Sequence, residues 1–422
     1  MKSQPLPLLT IASTGGAALF FASIMAASQA YALGAAILLL GGLACLVRIP
    51  AARLRRQDTI LITLLCAMFG VGLFSYLYHR DIPRVLDLPS RYLLSVPVLL
   101  LMLAYPPRRA WVWAGIIAGS ALAAGIAAWQ LQVLDTGRAM GVTGVIQFGN
   151  MGLMLGTFCV AALAEVGSYP RATLWRIACA IGALCGVYTS LASASRGGWL
   201  AVPFILIIFA LAFINRRNIK YAAGVAGVVI VALVIAAFSI PTIEERYDQA
   251  VSDITLYEAG QPNTSLGLRF DMYKSLSAII PQKPWLGWST ADYAAEQHRL
   301  VEEKFVSPVI LDMANTHNTF LELWVFQGIF AVVILLALLC WALYQFVRLL
   351  RHSDARVQVP AICGASLVVG YTIFSQSQVM LGRNNTLMFF LIALAVMWGL
   401  ARPYHQAMDV RQAGKTAALG AR

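Results

Sequence analysis

Thr316-His317-Asn318-Thr319, followed at once by FLELWVFQGIFAVVILLALLCWALYQFV (320–347), decides how this chain is read. A histidine and an asparagine close a long polar segment, Pro241–Asn318, and an apolar run begins beside them. In hydrocarbon the backbone must satisfy its own hydrogen bonds, and a helix of about 20 apolar residues does so while crossing the core. The run from Phe320 is therefore a predicted span, long enough to tilt or protrude. Outward from it, apolar runs of spanning length lie near 8–28, 31–47, 59–78, 91–105, 111–131, 144–166, 174–193, 199–215, 221–240, 359–379 and 387–401. The predicted fold is all-α, a polytopic membrane helical bundle of about 12 transmembrane helices with one long helical periplasmic loop. The expected divisions are N-terminal spans over 1–240, the loop over 241–319, C-terminal spans over 320–401 and a polar cytoplasmic tail over 402–422.

Composition agrees. Of 422 residues, 59% are hydrophobic and 12% charged, against about 25% charged in a soluble domain. The first apolar run is too long for the core of a signal peptide and is expected to stay in the membrane. The formal net charge of +12 would suggest nucleic acid in a soluble protein, but here it sorts by membrane side. Arg48, Arg53, Arg55 and Arg56, then Arg108 and Arg109, Arg171 and Arg176, Arg216, Arg217 and Lys220, and Arg348, Arg351 and Arg356 fall in loops that alternate onto one face. Arg402, Arg411, Lys415 and Arg422 in the tail join them. Lys and Arg collect on the cytoplasmic side, so both termini are expected inside and the long loop outside. The charge is mostly topology and gives no reason to expect a nucleic-acid partner. All seven cysteines lie in apolar runs and read as small packing residues, without a disulfide framework.

The loop is expected to fold. Ser265 can cap a helix running to about Ile280, with Leu268, Met272, Leu276 and Ile279 forming an apolar stripe. Pro281 and Pro284 break it, and a second helix is predicted near Thr290–Phe305. Two such helices over a membrane mouth could form a lid.

Candidate chemistry gathers at the outer boundary. A neutral imidazole at His317 can accept a proton from a hydroxyl near neutral pH. Taken alone, the same residue reads as an interfacial histidine bonded to water or a carbonyl. His352 and His405 fall on the cytoplasmic side, His298 lies in a polar helix, and His79 stands far away along the chain. Arg196, in Ser193-Ala194-Ser195-Arg196-Gly197-Gly198-Trp199, occupies a tight outer turn. Its fork suits phosphate oxygens, and it suits equally a snorkelling arginine beside a tryptophan anchor. Arg269 can reach a phosphate or pair locally with Asp271. Arg91 can hold substrate or pair with Asp87 at i,i+4. Basic residues also stand alone beside span ends on this side, Arg138 and Arg383 among them. The sequence has no DxD pair, HExxH, His/Cys cluster or Walker motif, so neither a metal nor ATP nor another cofactor is expected, and arginines must neutralise a leaving group.

In order, the motifs are Asp87-Leu88-Pro89-Ser90-Arg91, Gly137-Arg138-Ala139-Met140-Gly141, Ser195-Arg196-Gly197-Gly198-Trp199, Gly267-Leu268-Arg269, Pro284-Trp285-Leu286-Gly287-Trp288 and His317-Asn318-Thr319-Phe320-Leu321-Glu322. This set resembles the O-antigen ligase and O-antigen polymerase superfamily of bacterial inner-membrane proteins, from about Asp87 to the last spans. Val145-Ile146-Gln147-Phe148-Gly149-Asn150 looks more like the ligase branch. The resemblance implies transfer of a glycan from undecaprenyl pyrophosphate, in the ligase branch to a sugar hydroxyl of lipid A-core, on the periplasmic face of the inner membrane. It implies His317 as base and Arg196 and Arg269 as pyrophosphate ligands, with Arg91, Arg138 and Asn318 also among substrate-binding positions. A polymerase or a protein-directed oligosaccharyltransferase shares the donor. A lipid-linked glycan transporter is a more distant alternative, and the sequence shows no internal repeat for one.

Overall fold

The computed structural model describes residues 8–46, 54–214, 251–257, 259, 261 and 263–402, apart from the side chains of Arg196 and Ser265. The expected span at 221–240 lies outside the described residues. So do His405, the basic residues Arg48, Arg53, Arg216, Arg217, Lys220, Arg411, Lys415 and Arg422, and the first part of the loop, 241–250.

Among the described residues the chain is helical and contains no strand. In chain order the helices are α1 Leu8–Ser23, α2 Tyr31–Leu46, α3 Arg56–His79, α4 Asp87–Ala104, α5 Arg109–Gln132, α6 Val145–Val166, α7 Ala172–Ser193, α8 Val202–Phe213, α9 Ser265–Ile279, α10 Thr290–Glu302, α11 Thr319–Val347, α12 Ala355–Phe374 and α13 Asn384–Leu400. A single helical turn, Arg196–Trp199, joins α7 to α8. Seven helices are long and apolar enough to cross a membrane, and α1, α2, α8 and α13 supply shorter apolar ones. The chain is a multi-pass helical membrane protein. Both α6 and α12 are mostly buried, and α13 is buried along nearly its whole length. These three form the centre, while α3 and α7 show much of their apolar surface to the surroundings.

The long run after Phe320 is not one rod. α11 breaks at Gly328, whose φ of 75° and ψ of 179° leave the helical region. Only glycine adopts such a backbone freely, and a Cβ there would run into the Trp285 carbonyl. The backbone groups freed by the break are taken up by Pro284-Trp285-Leu286-Gly287-Trp288. Ile329 N donates to Pro284 O at 3.0 Å and Trp288 N to Val325 O at 2.7 Å, while Ser75 Oγ donates to Phe326 O at 2.9 Å. Buried backbone groups must find such partners. Residues 329–347 then cover about 28 Å, close to the thickness of a hydrocarbon core. The segment before the break belongs to the loop layer.

That layer has its own core. Met272, Leu276 and Ile279 of the expected stripe are buried with Trp288, Tyr293, Leu300, Ile310 and Val325. The helix start differs by one residue from expectation. Thr264, not Ser265, is the cap, its side chain accepting from Gly267 N. α10 is capped by Ser289 and ends at Glu302, short of Phe305. The loop helices thus form a packed cover resting on the outer part of α11.

The bundle has two distinct ends. Arg55, Arg348 and Arg402 line one shared pocket, and Arg402 pairs there with Asp58. At the opposite end, under the loop layer, lie Arg91, Arg138, Arg269, His317 and Arg383. Arg55, Arg348 and Arg402 thus bring together three of the segments expected on one face.

Candidate functional site

The site is built around the start of α11. Asn318 caps that helix, its Oδ1 accepting from Phe320 N at 2.9 Å and Leu321 N at 3.2 Å. Its Nδ2 donates to Gln376 O and Oε1, at 3.4 and 3.3 Å. One turn into the helix, Glu322 Oε2 accepts from Thr316 N at 2.9 Å, and Thr316 Oγ1 donates to Asn318 O at 2.9 Å. The α12–α13 connection wraps the same turn. Thr319 N donates to Ser375 O at 2.9 Å, and Met380 N donates to Thr319 Oγ1 at 3.0 Å. Every polar residue of Thr316–Glu322 except the histidine is therefore committed to holding this turn.

His317 is left over by that network. Its backbone is left-handed, with φ of 56°, a conformation unusual for a residue with a Cβ and commonly held at functional sites. Its amide donates to Asn315 Oδ1 at 3.0 Å. Its ring is half-buried, and Nδ1 is buried with no hydrogen-bond partner among the described residues. Burial first, then the positive charges of Arg269 and Arg383, hold the imidazole below its ordinary pKa. The ring is thus neutral near pH 7 and able to take a proton.

The arginines divide into groups. Arg269, on the first turns of α9, makes no hydrogen bond or ion pair with any described residue. The expected alternative, a local pair with Asp271, does not form. Asp271 is buried and accepts from Ser307 N at 2.7 Å and Tyr257 Oη at 3.3 Å. Four residues on, Tyr273 Oη donates to Gln376 O at 3.3 Å, which ties this face of α9 to the Asn318 network. Arg196 is placed by its backbone. A Cβ on the next residue, Gly197, would come within 2.7 Å of Ser377 Oγ, so the 195–198 turn abuts the same α12–α13 connection. Arg138 braces that turn, donating to Ser193 O at 3.1 Å and Ala194 O at 3.0 Å. Arg91 stands further along the rim. It pairs with Asp87 at 2.5 Å, as its spacing allowed, and its Nε donates to Asn384 Oδ1 at 3.2 Å.

Gln376 escaped the sequence reading, and Arg383 entered it only as an isolated basic residue. Arg383 bears on His317 electrostatically and donates from Nη1 to Thr143 O at 2.8 Å. Gln376 joins α9, α11 and α12. The only signal for Arg383 in the sequence was its isolation beside a span end. Gln376 carried none. His79, a weaker histidine candidate, has its Nε2 3.1 Å from Leu286 O and so serves the Pro284–Trp288 segment.

A cleft of about 460 Å³ opens between α3, α4 and α11; it reaches Thr319 and Glu322, but His317 and the site arginines do not line it. Tyr76, Arg84, Trp288, Thr290, Thr319 and Glu322 give it polar walls, and Met68, Leu88 and Phe326 apolar ones. Such a mixed cleft suits an amphipathic molecule entering from a membrane. Among the described residues no three His, Cys, Asp or Glu side chains are placed to share a metal ion.

The fold and site together define a polytopic helical membrane protein with a neutral histidine among arginines at one end of its bundle. The O-antigen ligase family profile matches residues 181–336, a stretch that begins before the Arg196 turn and ends beyond His317 and the Gly328 break. An O-antigen ligase of Escherichia coli K12 is 27% identical over 152 residues, 35% of this chain and 36% of that protein. An uncharacterized protein of Haemophilus influenzae is 28% identical over 386 residues, 89% of this chain and 95% of its own length. Over residues 181–336, about a third of its length, the chain is similar to the O-antigen ligase family. That similarity supports an enzyme of the O-antigen ligase or polymerase type.

Proposed function

We propose that the chain is an O-antigen ligase of the bacterial inner membrane. It transfers a glycan from undecaprenyl pyrophosphate to a sugar hydroxyl of lipid A-core, on the periplasmic side, without metal or ATP. The observation that carries this reading is His317, its Nδ1 buried without a hydrogen-bond partner among the described residues and its ring in the positive charge of Arg269 and Arg383. In the step, the acceptor oxygen bonds to the anomeric carbon of the donor sugar, and the bond from that carbon to the phosphate oxygen breaks. His317 takes the hydroxyl proton, and the pyrophosphate leaves on its lipid. Arg196 and Arg269 hold the departing charge and Arg383 adds to the field, the largest kind of contribution available to a site without a metal. Arg138 acts through the Arg196 turn, Asn318 through the position of His317, and Arg91 at the rim. Alignment of two membrane-held substrates at one boundary supplies the remainder.

The experiment is reconstitution of purified protein with the lipid-linked glycan and lipid A-core, with EDTA present and no nucleotide. Glycan joined to lipid A-core is the expected product. Growth of the glycan on its own carrier would identify a polymerase, transfer to a protein acceptor would identify an oligosaccharyltransferase, and a requirement for divalent ion would overturn the arginine-only account.

A further inference from the structure

The pocket that Arg55, Arg348 and Arg402 share has a volume of about 160 Å³. It lies where the start of α3 meets the ends of α11 and α13. Its back is apolar, with Phe346 and Trp398 packed edge to face, ring centroids 5.6 Å apart. One turn back along α11, Trp341 Nε1 donates to Gln57 O at 3.2 Å, which ties α11 to α3. Buried Asp58 holds the third corner. It accepts from Arg55 N at 2.9 Å, from Trp398 Nε1 at 2.8 Å and from Arg402. Those donors occupy both carboxylate oxygens, and among the described residues no acid lines the pocket itself. The donors around the space are less well matched. Gln345 lines it, is 8% exposed and makes no side-chain hydrogen bond with a described residue, although buried amides normally find a partner. Arg402 Nε is buried and has no partner among the described residues. Arg348 lies over the Tyr344 ring, 5.5 Å from its centroid, with no ion pair or side-chain hydrogen bond to a described residue.

Positive charge is in excess here. Three guanidinium groups stand against one carboxylate. The C-termini of α11 and α13 add about half a negative charge each, and the N-terminus of α3 about half a positive one. About one and a half positive charges are left over. The adjoining sequence does not supply the acids to cancel them. Residues 47–53 contain none, and 403–422 set Asp409 against Arg411, Lys415 and Arg422. The last turn of α11 also shows Tyr344 and Val347 to the surroundings, 53% and 41% exposed, a surface on which hydrocarbon can lie. A positive pocket with an amide donor, bordered by such a surface, suits a phosphate that carries acyl chains.

We propose that this pocket binds the headgroup of an anionic phospholipid from the leaflet at the arginine-rich end. The phosphate oxygens accept from Arg348 and Gln345, and the acyl chains follow Tyr344 and Val347. The lipid acts as a structural clasp. It joins the far ends of α11 and α13, the two helices that begin beside His317 and Arg383. Neither glycan donor nor acceptor takes part in this binding, so it can hold or fail without the transfer reading.

The test adds phosphatidylglycerol or phosphatidylcholine to the full-length protein in detergent. Binding is read by native mass spectrometry and by the rise in Tm above each variant's own lipid-free value. The wild type is expected to bind phosphatidylglycerol more tightly and to gain more Tm from it. Arg348→Gln and, separately, Gln345→Leu should each weaken phosphatidylglycerol about tenfold, the worth of one hydrogen bond to a charged group. Arg356→Gln removes the same charge from an exposed site at the start of α12 and should leave the affinity as it is. Equal weakening by Arg356→Gln would make the attraction a general surface charge. Equal affinity for the two lipids would deny a cationic headgroup site. Displacement of the lipid by comparable concentrations of glycerol phosphate would make the occupant a soluble phosphate. Unchanged affinity in either Arg348→Gln or Gln345→Leu would take the lipid out of this pocket. Any of these results overturns the proposal.

Discussion

The two ends of the bundle treat positive charge in opposite ways. At the arginine-rich end two arginines meet buried acids. Arg109 meets the fully buried Glu165 at 3.0 Å, which also accepts from Trp113 Nε1 at 3.3 Å and Tyr169 Oη at 2.5 Å. Arg402 meets the fully buried Asp58, which accepts from Trp398 Nε1 at 2.8 Å. At the loop end Lys283 and Arg299 have acids on the exposed face of the loop layer, but among the described residues Arg269 has no acid, Arg383 has only a carbonyl, and the histidine between their fields has an unpartnered Nδ1. Arg91, paired with Asp87, is the intermediate case. Closed networks hold helices together, and removing one partner strands a charge. Open cationic clusters hold nothing until an anion arrives. The first end is built for structure, the second for a ligand.

The sharpest way to break this contrast is to remove the group that only the loop end possesses. His317→Ala is expected to slow single-turnover transfer by about 10²–10⁴-fold, with donor binding and the amount of folded protein little changed, because no neighbour depends on the ring. Near-normal transfer would return His317 to the status of an interfacial residue.

The next effect falls at the other end. Glu165→Gln keeps the shape but leaves Arg109 beside an uncharged amide, and breaking a buried pair in this way costs about 3–5 kcal/mol. The expected result is a markedly lower Tm in detergent, with transfer per folded molecule unchanged. A loss of transfer at unaltered Tm would mean that the buried pair serves chemistry, and the division between the ends would fail.

Arg269→Lys and Arg196→Lys come third. An ammonium keeps the charge but not the planar fork, and a lost charge-assisted hydrogen bond is worth about 1.5–3 kcal/mol. Each change should therefore reduce kcat/KM by about 10- to 100-fold at matched protein level. If lysine is tolerated at both, the arginines are anchors rather than a clamp.

How much of this was visible in the sequence depends on the distance over which the information acts. The spans were legible because length and hydropathy are local, and the gathering of Arg55, Arg348 and Arg402 at one end because arginines repeat at loop after loop. Asn318, capping α11, and the buried stripe Met272, Leu276 and Ile279 follow from short-range spacing. The Gly328 break was not read, since one glycine in a long apolar run looks tolerable until Pro284–Trp288 is known to fill the gap. Gln376 was passed over, and Arg383 was not tied to the histidine's turn, for a similar reason. They reach His317 only because the α12–α13 connection folds back over the start of α11, and that approach is set by packing between helices. Arg138, expected among the substrate-binding positions, also donates to Ser193 O and Ala194 O, bonds to the Arg196 turn that its own motif did not announce.

The smallest effect is a displacement of a pH profile. Burial, then Arg269 and Arg383, depress the His317 pKa from its ordinary value of 6.5. The neutral, proton-accepting ring is the form present above that pKa, so transfer should be lost as pH falls through it, and the acid limb of kcat/KM should lie below pH 6.5. That quantity reports the free enzyme, in which the arginines are not yet neutralised by pyrophosphate. Arg383→Gln removes one positive charge. Protonation of His317 then becomes easier, its pKa rises toward the ordinary value, and the acid limb moves to higher pH. His352, at the opposite end of the bundle, supplies the control, since His352→Gln should leave the limb in place. An acid limb that stays put in Arg383→Gln, or moves to lower pH, would show that the titrating group is not the histidine lying in the arginines' field. The loop end would then have lost the one property that most separates it from the paired charges across the membrane.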